Sequence, residues 1–329
     1  MDQRVKPPAL RPQAVLGLVA PASPAYNRGD IQRAAATLQR LGFRLNVHAG
    51  QHVRDRHGYL AGTDQARADD FMRVWCDPEI DGVLCLRGGY GSPRIVDRLD
   101  YADLAASPKV FVGFSDITTL HLALGQRAGL VTFYGPMALT FAKPNVSEYT
   151  QTGFVRAISE SKPLGVIQPN PDDPWVETIC PGTVEGELVG GCLSLLASAI
   201  GTPDDFDWRA KIVFLEDVHE EPFSIDGKLV QLLRAGRFDG VAGIVVAEHV
   251  DCGPRDYKPA FPSTLSVEDV IDELLRPLGV PCIYGLPLGH GRHLATVPLG
   301  VRARLDADNG QLVILESGVT ETSGRKPTA

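Results

Sequence analysis

Short apolar runs and helix-period segments take turns along the first 145 residues. Residues 15–20 (VLGLVA) form a continuous apolar run that ends in Pro21-Ala22-Ser23-Pro24, which predicts a buried strand and then a loop. Asp30 is placed to cap a helix over 31–41 that Gly42 stops. Residues 43–47 alternate as a strand, and Thr63 or Asp64 can cap a helix running to about Cys76. The run 81–86 (DGVLCL) predicts another buried strand, after which Ser92-Pro93 opens a helix with serine as cap and proline in the first turn. A strand over 109–112, a helix over 117–127 ended by Gly129 and a strand over 130–133 complete the series. Such alternation predicts an α/β fold, with a parallel sheet covered by helices on both faces.

Residues 143–183 change character: six prolines (144, 163, 169, 171, 174 and 181) fall there with little helical periodicity. The pattern divides the chain into an α/β domain over 1–145, a proline-rich linker over 146–183 and a second, mixed α/β domain over 184–329. In the second domain, helices are expected over 191–200, 225–235 and 267–275, and strands over 211–215, 241–247 and 281–284. Two alternating runs, 296–305 and 311–316, flank Asp308-Asn309-Gly310 and predict a closing hairpin. There is no internal repeat and no low-complexity tract.

Composition narrows the class. The chain has 329 residues, 44% hydrophobic and 22% charged, which excludes disorder, collagen and coiled coil. With 32 Lys+Arg against 40 Asp+Glu, the net charge is −8. No basic run offsets it, so neither nucleic acid nor a membrane surface is an expected partner. No apolar stretch approaches the roughly 20 residues of a membrane span. The opening residues, MDQRVKPPALRPQ, lack the apolar core of a secretory signal. The six cysteines (76, 85, 180, 192, 252, 282) show no CxxC spacing, so neither a zinc site nor a redox dithiol is indicated. Most read as small core residues in a reducing compartment, and the expected location is the cytoplasm.

Four constellations could carry chemistry. Gly113-Phe114-Ser115-Asp116 lies between an apolar strand and an amphipathic helix. A serine at such a turn has an exposed hydroxyl near a helix N-terminus, where backbone N–H groups can receive an oxyanion. The full G-x-S-x-G pattern is not met, because Ile117 holds the last position, and Ser115 or Asp116 could simply cap the helix. Arg87-Gly88-Gly89-Tyr90-Gly91-Ser92 follows a buried strand and has neither nucleotide-binding glycine pattern. Its amides could face a ligand at the sheet edge, and Arg87 could pair with a substrate carboxylate or a structural acid. Glu216 ends the strand KIVFL, and His290 stands between two glycines in Leu288-Gly289-His290-Gly291, with His293 as a nearby competitor. A strand-end carboxylate can orient a catalytic histidine, and Ser115, Glu216 and His290 all sit where strand signals run out. No histidine pair has metal-ligand spacing, although His219 and His249 stay open as ligands with Glu216 or Asp251.

The segments LRGGYGSPRIVDRLDY, FVGFSDITTLHLAL, TFYGPM, GELVGGCLSLLASAIGTP, LEDVHEEPFSIDGKLVQLLRAGRFDG and GLPLGHG resemble the LD-carboxypeptidases, the murein tetrapeptide carboxypeptidases and their microcin-immunity relatives. The resemblance runs from about Val15 to Leu305. It implies a serine peptidase with a Ser115–Glu216–His290 triad, the serine on the first domain and the other two residues on the second. It further implies an oxyanion hole of Gly89 and Asp116 amides, a homodimer, and no cofactor or metal. The implied reaction removes the terminal D-alanine of a murein tetrapeptide at the bond to diaminopimelate. Arg87 and Gly88 are expected to bind the substrate, from their position and from the charge of Arg87. Cys192, in VGGCLS, departs from the asparagine expected in some members. Two other readings stay open: a microcin-immunity-like peptidase acting on peptidyl or aminoacyl nucleotides, with Trp175 and Trp208 as candidate base contacts, and a non-catalytic two-domain binding protein.

Overall fold

The computed structural model describes residues 4–321. The apolar runs of the first region become β1 (Val15–Val19), β2 (Arg44–Asn46), β3 (Gly82–Cys85), β4 (Val110–Gly113) and β5 (Thr132–Tyr134). They lie side by side and parallel in the order β2-β1-β3-β4-β5. Alternate residues feed two cores. Leu16, Leu18, Leu84, Val110 and Val112 face one set of helices, and Val83, Cys85 and Phe111 face another that includes Phe71, Trp75 and Leu120. Helices therefore cover both faces, as the unbroken apolar strands require. The strand order reverses between β1 and β3, so the loops following those strands splay apart and leave a crevice at the carboxyl edge.

The remaining strands are β6 (Gly165–Val166), β7 (Glu177–Cys180), β8 (Thr183–Cys192), β9 (Lys211–Val218), β10 (Gly243–Val250), β11 (Cys282–Leu286), β12 (Val297–Leu299), β13 (Arg302–Asp306) and β14 (Gln311–Ile314). Eight strands form a mixed sheet in the order β6-β14-β13-β8-β9-β10-β11-β7, parallel from β8 to β11 and antiparallel at its margins. One face packs on the helices Leu193–Ser198, Pro222–Arg234 and Val267–Leu275. The other face, with Phe214, Val245 and Ile283, shares a core with Val131, Tyr134, Val297 and Leu299 of the first sheet.

Four features differ from the sequence pattern. Residues 146–183 contain a 12-residue helix, Glu148–Ser159, capped by Ser147, and two strands. Phe154, Ala157 and Ile158 of that helix are buried in a core of the first domain. Their i, i+3, i+4 spacing was hidden by the proline density that begins just beyond. The expected helix over 191–200 starts only at Leu193, because β8 continues to Cys192. The run 296–305 splits: β12 leaves the second domain and pairs antiparallel with β5, as the sixth strand of the first sheet, while β13 and β14 form the hairpin. The helix expected to open at Ser92-Pro93 is instead two single 3₁₀ turns, Ser92–Arg94 and Val96–Arg98, since Ser92 bonds to Asp116 instead of capping.

His121, on the helix Thr118–Arg127, is buried between the sheet and that helix, with Nε2 2.9 Å from the Gly113 carbonyl and Nδ1 2.8 Å from Thr132 Oγ1. Burial pushes its imidazole down to about 4. An unfolded histidine titrates near 6.5, so below that pH the unfolded chain binds a proton that the folded chain refuses. Stability should therefore be lost as pH falls from about 6.5 towards about 4, by up to about 3 kcal/mol from this group alone. His121→Gln should flatten the decline in Tm between neutral and mildly acid pH. An unchanged slope would assign the acid sensitivity to other groups.

Candidate active site

Ser115 follows β4 at the start of a 3₁₀ turn that leads into the helix Thr118–Arg127. Its φ is +65°, the left-handed region that costs a non-glycine residue free energy and that marks sharp strand-to-helix turns. Neighbouring polar groups hold it there. Its backbone N–H donates to Tyr134 Oη at 3.1 Å, and its carbonyl accepts from Thr118 Oγ1 at 2.7 Å. Thr118 Oγ1 in turn accepts the Cys192 N–H at 3.0 Å, which binds the turn to the second domain.

The glycine-rich loop lies directly against this turn. A Cβ on Gly88 would come within 2.9 Å of Ser115 Cβ and 3.2 Å of the Asp116 nitrogen, so a side chain there is excluded. The Asp116 carboxylate braces the loop: it is buried and accepts the Ser92 N–H at 2.8 Å and the Gly91 N–H at 3.3 Å. Burial raises its pKa, against the lowering effect of those bonds. Gly89 is exposed with φ +101°. Arg87 is partly buried and forms no ion pair among the described residues; its guanidinium stacks 5.4 Å from the ring centroid of Tyr26. Arg56 stacks on the same ring at 5.5 Å, and Tyr26, Asn27, Arg54 and Arg56 line a cavity of about 820 Å³ between the segments that follow β1 and β2.

β9 delivers two carboxylates to opposite sides of its sheet. Asp217 accepts the Ser194 N–H at 2.9 Å and holds the start of the following helix. The Cys192 thiol, 3.6 Å from Asp217, is pushed well up by burial and by the two acids. Glu216 points the other way, into the seam between the domains, and has no exposure to water. Its Oε1 accepts from the Tyr134 hydroxyl at 2.6 Å, and its Oε2 lies 2.8 Å from His290 Nδ1.

His290 sits on the loop after β11, with its ring 4.9 Å from that of Phe114, the residue before Ser115. The flanking glycines do not make this loop exposed. Gly289 is buried with φ +155°, and a Cβ there would lie 2.3 Å from Glu216 Oε2. Glycine is needed because the loop must approach the carboxylate closely. With Nδ1 donating to Glu216, Nε2 carries the free lone pair of a general base. Among the described residues no hydrogen bond joins His290 to Ser115 Oγ, a contact that often closes only once substrate is bound. His293 is buried elsewhere, against Tyr149 and 3.0 Å from Asp172. Among the described residues no group of three or more His, Cys, Asp or Glu could hold a metal ion. His249 turns Nδ1 to the Ala247 carbonyl, and His219 is exposed beside Asp251.

The structure thus brings Ser115, Glu216 and His290 to one seam, with the 87–92 loop against the serine. Sequence reasoning missed Tyr134, Thr118 and the carboxylate of Asp116. The one visible signal for Tyr134 was a hydroxyl-bearing aromatic ending an otherwise apolar strand.

Comparison with known proteins agrees with this architecture. Residues 16–135 match the LD-carboxypeptidase N-terminal domain, and residues 185–305 match the LD-carboxypeptidase C-terminal domain. A probable murein peptide carboxypeptidase of Bacillus subtilis (strain 168) is 37% identical over 96% of both chains. The murein tetrapeptide carboxypeptidase of Pseudomonas aeruginosa is 33% identical over 89% of this chain and 93% of its own. Among solved structures, muramoyltetrapeptide carboxypeptidase from Oxalobacter formigenes superposes with a TM-score of 0.80 at 31% identity, over 94% of this chain and all of that one. Microcin C7 self-immunity protein MccF, in complex with adenosine monophosphate, gives 0.85 at 25% identity, over 96% and 100%. Two matched domains and relatives of full length exclude a non-catalytic binding protein: the chain is a serine-type carboxypeptidase and belongs to the LD-carboxypeptidase family.

Proposed function

We propose that this enzyme removes the terminal D-alanine from a murein tetrapeptide, at its bond to the L-centre of diaminopimelate, with Ser115 as nucleophile, His290 as base and Glu216 as the orienting acid. The observation that carries the reading is the 2.8 Å contact of His290 Nδ1 with a wholly buried Glu216, beside a serine at a left-handed turn. His290 Nε2 takes the serine proton as Oγ attacks the carbonyl, and Glu216 stabilises the imidazolium that forms. The amides of Gly89 and Asp116 receive the tetrahedral oxyanion, His290 returns the proton to the leaving D-alanine nitrogen, and water then releases the acyl-enzyme. Arg87 is proposed to read the free terminal carboxylate with help from Gly88, supported by a guanidinium that makes no ion pair among the described residues and lies on the loop beside the serine. We place this activity in the cytoplasm, in peptidoglycan recycling and in a homodimer; the absence of any disulfide among the six cysteines accords with a reducing compartment.

A second reading, hydrolysis of a peptidyl or aminoacyl nucleotide, draws support from the fold shared with MccF and from Trp175, which is 69% exposed and free to stack on a base. Trp208, the other candidate, is buried and does not serve. Mass spectrometry of products from a purified muropeptide mixture and from an aminoacyl sulfamoyl adenosine separates the readings. Loss of 1 alanine only from tetrapeptides supports the first, and cleavage of the nucleotide alone replaces it.

Ser115→Ala and His290→Ala should each lower kcat by roughly 10⁴-fold or more, and the double variant should lose little further, because the two act as a unit. Additive losses in single-turnover assays would separate them. Arg87→Ala should weaken kcat/KM for the tetrapeptide by roughly 30- to 1000-fold. Amidating the terminal D-alanine should cost wild type about as much, and the variant little more. If the two losses add, the backbone amides of the glycine loop read the carboxylate instead.

A further inference from the structure

TFYGPM closes β5 with Tyr134, a residue outside the proposed triad and oxyanion hole. Its side chain is wholly buried in the seam between the sheets, against Phe214 at 5.0 Å and Phe114 at 6.3 Å between ring centroids. The single hydroxyl meets both halves of the site. It accepts the Ser115 N–H at 3.1 Å and donates to Glu216 Oε1 at 2.6 Å. The direction of the phenol proton is fixed by these partners, since an N–H can only donate and an ionised carboxylate can only accept. Burial and the neighbouring Glu216 push the phenol well above its usual range, so it stays a protonated donor.

We propose that Tyr134 is a positioning residue of the reaction: one hydroxyl pins the strained turn that carries Ser115 and sets the rotation of the carboxylate that orients His290. The inference rests on the Ser115–Glu216–His290 reading and deepens it. The turn needs such a restraint, because a serine at φ +65° relaxes unless its backbone is held. The carboxylate needs it too. Glu216 is wholly buried, and its other oxygen is committed to His290 Nδ1. Without the phenol, Oε1 would lack a partner in a place that water does not reach, and the carboxylate would rotate towards His290 or drag the loop. The same donated bond also moderates the negative charge that His290 faces. The titratable groups around the hydroxyl are Glu216 on β9, Cys192 at the end of β8, His290 on the loop after β11 and His121 on the helix after Ser115.

The test reads the reactivity of the serine itself, so it does not depend on knowing the natural substrate. The full-length enzyme, Tyr134→Phe and a variant carrying 3-fluorotyrosine at 134 would be labelled with a fluorophosphonate across a range of pH. Labelled peptides and thermal melts would be recorded in parallel. Tyr134→Phe should slow labelling of Ser115 by about 10- to 100-fold, the loss of one hydrogen bond to a charged group. It should also move the acid limb of the profile to higher pH, because the charge facing the imidazole is no longer shared. The fluorinated ring, a stronger donor of nearly the same shape, should keep the fold and move that limb to lower pH. Labelling within twofold of wild type and an unmoved limb in both variants would overturn the proposal. So would a Tyr134→Phe loss that tracks a fall in Tm while the fluorinated variant behaves as wild type. Failure of the wild type to label at Ser115 would instead overturn the triad reading, and this inference with it.

Discussion

A carboxylate sealed from water must find every partner it needs inside the protein, and Glu216 is such a group. Its two oxygens take one bond from Tyr134 on the first sheet and one from His290 on a loop of the second domain. Three segments distant in sequence therefore have to arrive together before the charge is tolerable. Much of the surrounding structure can be understood as the means of delivering them. The end of β9 brings the acid, the end of β5 brings the phenol, and a glycine at 289 lets the loop close on the carboxylate. The same phenol holds the serine turn, so the arrangement that satisfies a buried charge also places nucleophile, base and acid at one seam.

The seam is built like a core and unlike a typical hinge between domains. Val131, Tyr134, Val297 and Leu299 of the first sheet interleave with Phe214, Val245 and Ile283 of the second. Thr118 and Cys192 add a polar stitch, and Arg127 ties its helix to Asp204 with a paired contact of 2.6 and 2.8 Å. What stays open is the other side of the serine, where the loops after β1, β2 and β3 bring Tyr26, Arg56 and a partly buried Arg87 together. Rigidity behind the nucleophile and access in front of it have separate structural origins.

Much of this was legible in the sequence, for physical reasons. Strands buried on both faces cannot hide their composition, so β1, β3 and β4 stood out as VLGLVA, DGVLCL and KVFV. Ser115, Glu216 and His290 each occupy the end of such a signal. Pairings across long sequence distances were not legible. Nothing local in Val297–Leu299 distinguishes a strand of the first sheet from one of the second, and nothing local in Tyr134 announces a partner 82 residues away. The helix Glu148–Ser159 was obscured by the prolines after it, although its cap and apolar spacing were present. The glycines around His290 were legible as permissive backbone, but their use, close approach to a carboxylate, depends on a contact that only the fold creates.

The placement of β12 bears on the order of events during synthesis. A ribosome makes chains from the N-terminus, at several residues per second, and domains commonly fold as they emerge. Here the first sheet has all five parallel strands once residue 134 has emerged, yet its sixth strand follows about 160 residues later. Until then β5 is an open edge lined by apolar side chains, and Tyr134 waits for an acid not yet made. The nascent first domain therefore spends about half of translation as an incomplete, adhesive sheet. It becomes a closed unit only when the second domain has folded and handed back three residues.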